Sequence, residues 1–295
     1  MAVFLGFLGV LGFSMTLPAT RFAVEQLEPS FVGVGRTVVA GVLAAVFLAA
    51  SRQPRPTRDQ VRRLWRVVAG VVIGFPLFTA LALHSLPAAH GAVIIGLLPA
   101  ATAVAAVLVG GERPTPAFWL ASSAGLAAVL VFAVAQGAGV PSAADGLVLL
   151  AVAAAALGYA EGGKLGREIG GWQTICWALV LALPLTVPAT ALIVAQSTPH
   201  GDATTWSAFA YVSLISQFLG FFAWYAALAR GGIARIGQIQ LSQPVMTLIW
   251  SALLLGEHVS PGMVAASLVV LGCVVATQRT RVDAPPPRAS VASAG

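Results

Sequence analysis

Twenty-three consecutive residues, "QTICWALVLALPLTVPATALIVA" at 173–195, contain no Asp, Glu, Lys or Arg. A water-soluble helix of that length needs a polar face. This one has none, and about 20 apolar residues at 1.5 Å each suffice to cross the hydrocarbon core of a bilayer. The pattern recurs along the chain. Ten candidate spans fall at 2–20, 30–50, 65–84, 90–109, 116–135, 146–163, 173–195, 206–229, 234–255 and 261–278. With 9% charged residues and a mean hydropathy of +0.91, the chain cannot cover a soluble surface. Inside a bilayer all backbone groups must pair within the protein, and alternating strand patterns are absent, so helices are expected. The connections are short and rich in Gly, Pro and polar residues, which leaves no room for a soluble catalytic domain. The segment 279–295, "RTRVDAPPPRASVASAG", is too poor in apolar residues to fold and is expected to be disordered. The first span has the length of a secretory leader, but no Lys or Arg precedes it, which argues for a retained span.

Basic residues set the expected orientation. Fourteen of the sixteen fall on one side: Arg52, Arg55, Arg58, Arg62, Arg63, Arg66, Arg113, Lys164, Arg167, Arg230, Arg235, Arg279, Arg281 and Arg288. Positive-inside bias places that side, and both termini, in the cytoplasm of a bacterial inner membrane. The net charge of +6 is then a topology signal. No basic face with interleaved aromatics points to nucleic acid. Cys176 and Cys273 lie in separate spans, without the spacing of a metal site or disulfide framework.

The chain also repeats itself. A shift of 145 residues brings Pro99 onto Pro244, Thr102 onto Thr247, Gly111 onto Gly256, Glu112 onto Glu257 and Pro116 onto Pro261, without a gap. Near the start of each half, "LGF" (Leu11 to Phe13) meets "LGY" (Leu157 to Tyr159) at a shift of 146. Each unit holds five spans: 1–135 and 146–278. Five is odd, so the second unit must enter the membrane inverted. Inverted repeats characterise secondary transporters, which bind substrate near the midplane where the repeats meet.

The segments "PAATAVAAVLVGGERPTP" (Pro99 to Pro116) and "PVMTLIWSALLLGEHVSP" (Pro244 to Pro261), with Arg36 inside the second span, resemble the drug/metabolite transporter superfamily, in particular its ten-helix members built from two EamA repeats. Where such proteins usually carry Trp-Gly-Ser in the first span, this chain has "LGFS". Within the superfamily it looks most like amino-acid exporters of the YddG type. The resemblance implies an all-α membrane protein that exports small metabolites, amino acids and their analogues above all, with no cofactor and no metal. Its partners would be a small-molecule substrate and the lipid bilayer. Nothing in the residues sets an oligomeric state. A non-transporting assembly subunit of the same fold and an intramembrane enzyme are the rival classes. No HExxH, GxGxxG, P-loop or GxSxG motif supports an enzyme.

Residues three, four and seven apart share a helix face. Gln217, Phe221, Trp224 and Tyr225 form such a stripe in the eighth span, and Gln240, Gln243 and Thr247 form another in the ninth. Amides are costly against lipid, so these faces should point inward, either to line a path or to bridge helices. Phe78, Thr79, Phe13, Thr16, Thr20 and Tyr159 are further lining candidates, with packing roles as the alternative. Pro99 and Pro244 lack the N–H that completes a helix ladder and are hinge or kink candidates. Glu112 and Glu257 read as helix-end anchors. Arg36 is expected to snorkel outward or pair with Glu25 or Glu28, a substrate carboxylate being the other partner considered. Glu161 is expected to pair with Lys164. His84 is a coupling-proton candidate, with an exposed loop position as the alternative. Gly70 with Gly74, and Gly158 with Gly162, have the spacing of close helix contacts.

Overall fold

The computed structural model describes residues 1–135, 142–255, 268–269, 272, 275–276, 279 and 282–283. Among these the chain is almost wholly helical. Six helices are long and apolar enough to cross a membrane: Ala2–Gln26, Pro29–Ala50, Arg58–Leu83, Ala143–Glu168, Gly171–Gln196 and Ala203–Gly231. Shorter pieces fill two further expected spans. Ala88–Ile95 is followed by Leu98–Leu108, and Ile233–Gly237 runs through the 3-10 turn Gln238–Leu241 into Ser242–Leu255. Pro116–Ala135 covers the fifth expected span. The tenth span, Glu257 and Cys273 are wholly or largely outside the described residues. In the tail, Arg279 is helical and Val282–Asp283 pair antiparallel with Arg113–Pro114.

The local sequence explains where the helices begin. Glu28 caps Pro29–Ala50 by accepting from the Phe31 amide, and Thr57 with Gln60 forms a capping box at Arg58. Ser142 with Asp145 makes a second box at Ala143. Two long helices share one irregularity. Val68–Gly74 and Val212–Leu219 are π-helical, and the 145-residue shift superimposes the two stretches to within a residue. A π turn withdraws carbonyls from the regular ladder and leaves them available to side chains.

Packing follows the same shift. Ala2–Ser14 lies against Gly220–Gly231, and its counterpart contact joins Phe75–Leu83 to Ala143–Glu168. Ala2–Ser14 also meets Ser242–Leu255, as Ala143–Glu168 meets Leu98–Leu108. Pro29–Ala50 packs along Gly171–Gln196, its own counterpart. Glycine allows the closest of these approaches. A Cβ on Gly70 would strike the Ala154 carbonyl and the Gly158 backbone, so the two expected small-residue motifs meet each other. The outward faces remain apolar: Val46 is 63% exposed and Leu192 64%. Such a belt is stable against lipid and would not be against water.

Candidate functional site

A small cavity sits where these helices converge. It is lined by Phe13, Thr16, Arg36, Val71, Phe75, Leu98, Tyr159, Ser216, Gln217, Phe221 and Gln243. Three pairs of lining residues are related by the repeat shift: Phe13 with Tyr159, Val71 with Ser216, and Leu98 with Gln243. Its volume of about 10 Å³ has room for roughly one water.

Gln217 organises the polar side. Its Nε2 donates to the Val71 and Val72 carbonyls at 3.3 and 3.1 Å, within the π-helical stretch. Thr37 Oγ1 donates to the Val72 carbonyl as well. The amide nitrogen is thereby committed, and Oε1 must face the other way. It accepts from Arg36 Nε at 3.2 Å and Arg36 Nη2 at 2.9 Å. Arg36 is 1% exposed and does not touch Glu25 or Glu28. The outward or glutamate-paired arginine expected from the sequence is therefore corrected: Gln217, 181 residues away, supplies its acceptor. The apolar side is a ring cluster. Phe13 packs on Phe221 with centroids 5.0 Å apart, and Tyr159 packs on Trp224 at 5.4 Å. Thr16 and Ser216 share a hydrogen bond of 2.8 Å across the repeats.

Of the sequence candidates, Thr16, Tyr159, Gln217 and Gln243 line this cavity, together with Phe13 and Phe221. Trp224 is fully buried behind Phe13 and Tyr159. The Tyr225 hydroxyl donates to the Gly158 carbonyl and its ring packs on Gly162, so it joins helices. Gln240 donates to the Tyr159 hydroxyl and orients that ring from outside the lining. Thr79 turns its hydroxyl back to its own helix, at the Phe75 and Pro76 carbonyls, and Phe78 is not among the lining residues. Thr247 donates to the Ser14 carbonyl, and Thr20 is buried away from the lining. Pro99 and Pro244 each stand near the start of a helical piece. They are the second residue of Leu98–Leu108 and the third of Ser242–Leu255, where a missing N–H is tolerated. The Pro99 carbonyl accepts from Gln238 Nε2. His84 is exposed beyond Leu83, away from the cavity, and its carbonyl accepts from Arg21.

One end of the bundle is held by ion pairs. Glu161, 1% exposed, bonds Arg63 Nε at 2.6 Å and Arg66 Nη1 at 3.1 Å. Lys164, the partner expected from the sequence, instead donates to the Val109 carbonyl. Arg63 also reaches Glu168 at 2.7 Å. Glu112 accepts from the Ile233 and Ala234 amides at 2.7 and 2.8 Å and from Arg167 Nη2 at 2.9 Å. It thus caps the helix that opens the ninth expected span, as an anchor should. Sequence reasoning missed this ring of contacts, the lining roles of Val71, Phe75, Leu98 and Ser216, and a hydrogen bond between His90 Nε2 and Asp145 Oδ1 at 2.7 Å. Among the described residues no group of three or more His, Cys, Asp and Glu is arranged to hold a metal.

Comparison with known proteins agrees with the geometry. The EamA-like transporter family matches residues 1–134 and again 142–278. The Bacillus subtilis (strain 168) protein called "uncharacterized transporter YdeK" is 48% identical, over 93% of this chain and 96% of its own. The aromatic amino acid exporter YddG of Ancylobacter novellus is 23% identical over 95% and 98%. A crystal structure with 19% identity superposes with a TM-score of 0.74, over 94% of this chain and 98% of that one, which shows a shared fold. The chain is a transporter and not an enzyme: it belongs to the EamA-like family of the drug/metabolite transporter superfamily.

Proposed function

We propose that the chain exports small amino-acid-like metabolites across the bacterial inner membrane by alternating access around the central cavity. Ten spans form two inverted repeats, 1–135 and 146–278, with both termini and the segment 279–295 in the cytoplasm. The observation that carries this is the cavity lined by repeat-related residues, Phe13 with Tyr159, Val71 with Ser216 and Leu98 with Gln243. A site built from equivalent positions of two inverted units can open to either face by the same motion. The ion pairs of Glu112 and Glu161 lie on the basic, cytoplasmic side of this topology and close that face. Opening inward breaks them, and opening outward leaves them intact. The amides and aromatic rings of the lining suit small zwitterions with apolar side chains. The named activity of the YddG relative is of that class.

The test is flux through pure protein. Proteoliposomes loaded with unlabelled amino acids should accumulate labelled L-phenylalanine or L-leucine by counterflow, with and without a pH gradient. Gln243→Ala should cut that flux severely while the protein stays monodisperse in detergent. Uptake equal to that of empty liposomes across a panel of amino acids would remove the proposal.

A further inference from the structure

Three charged side chains among the described residues are buried, and two of them are met by opposite charge. Glu161 has two arginines, and Glu112 has one arginine and two backbone amides. Arg36 is the exception. No described Asp or Glu lies within 4 Å of it. Its Nε and Nη2 share the single neutral oxygen of Gln217, and Nη1 has no partner among the described residues. A guanidinium placed deep in a membrane protein with one neutral acceptor is costly, and such residues pair or serve a function. Gln217 supplies position without neutralising, because its nitrogen is spent on the Val71 and Val72 carbonyls. Arg36 also lines the cavity, where its neighbours are the rings of Phe13, Phe75, Tyr159 and Phe221. The helix Leu98–Leu108 begins at the same wall and adds its positive end.

We infer that Arg36 is the anion anchor of the transport site. It takes the carboxylate of the substrate on Nη1 and Nη2, in the two-pronged geometry a guanidinium offers. The apolar part of the substrate lies against Phe13, Tyr159 and Phe221. The inference rests on the transport proposal and narrows it. The substrates are small organic carboxylates with an apolar or aromatic side chain, amino acids among them. The matching amides and decarboxylated amines, which lack the anion, are rejected.

The experiment compares four probes in proteoliposomes of the full chain: L-phenylalanine, 3-phenylpropanoate, L-phenylalaninamide and phenethylamine. Each is scored by its ability to drive or inhibit counterflow of labelled L-phenylalanine. The wild type should prefer L-phenylalanine to its amide at least tenfold, and 3-phenylpropanoate should compete where phenethylamine does not. Arg36→Gln should lose at least tenfold of the L-phenylalanine flux and abolish the preference for acid over amide. Arg36→Lys should keep the preference at reduced flux, because the charge remains and the fork is lost. Equal handling of acid and amide by the wild type would overturn the anchor while leaving a transporter. That comparison needs no variant, so it decides even where Arg36→Gln fails to fold. Retained preference in a folded Arg36→Gln protein would also overturn the anchor. Absence of flux for every probe would remove both the anchor and the transport proposal.

Discussion

Glu112 offers the sharpest energetic prediction, because its three bonds differ in kind. Two go to the buried backbone amides of Ile233 and Ala234, and one goes to Arg167, whose side chain is 34% exposed. Glu112→Ala removes all three and strands two amides in a site with no other acceptor described. Each orphaned buried donor costs about 1–3 kcal/mol, so the loss should be about 2–6 kcal/mol. Arg167→Met removes the solvent-screened ion pair and an exposed hydrogen bond from Nε to the Ala229 carbonyl, and should cost about 1 kcal/mol. Glu112→Gln keeps one acceptor oxygen but turns an NH2 toward an amide, and should fall between the two. Titration with SDS in mixed micelles, followed by tryptophan fluorescence, measures all three against wild type. If Arg167→Met cost as much as Glu112→Ala, the ion pair and not the helix cap would hold this end together. A Glu112→Ala loss below about 0.5 kcal/mol would refute both versions.

Gly70→Val should give no monodisperse protein on size-exclusion chromatography, since the new side chain meets the Ala154 carbonyl and the Gly158 backbone. Gly146→Ala, with nothing within 4 Å, should be neutral or raise stability by up to about 1 kcal/mol through helix propensity. His84→Ala should transport at the wild-type rate with or without a pH gradient, because His84 is exposed and remote from the cavity. Loss of pH-driven flux in that variant would restore it as a proton carrier.

The positions of most helices among the described residues, and the shift of 145 residues, were legible in the sequence, because both depend on local composition and on order along the chain. The lining was legible only in part. Helical periodicity selects a face but not the depth at which helices cross. Gln217 and Phe221 therefore reach the cavity while Trp224, one turn on, packs behind it and Tyr225 bonds Gly158. In the third span Phe75 lines the cavity, whereas Thr79 is turned to its own backbone. The π-helical stretches compound this, since they change the residues per turn and so the face presented beyond them. Arg36 was visible as an intramembrane charge. Its partner was not, because nothing local ties residue 36 to residue 217, and the nearby glutamates were the obvious choice. Glu161 failed in the same way: Lys164 is close in sequence, but Arg63 and Arg66 are close in space.

Alternating access requires that the cavity between the repeats be reached from each side of the membrane in turn. Ser216 lines it and is 3% exposed, so a cysteine there reports on opening alone. In a protein carrying Cys176→Ala, Cys273→Ala and Ser216→Cys, a membrane-impermeant thiol reagent should be applied to right-side-out and to inverted vesicles. Labelling should occur from both sides, and L-phenylalanine should slow it from both. Labelling from one side only, or from neither, would contradict alternating access around this site.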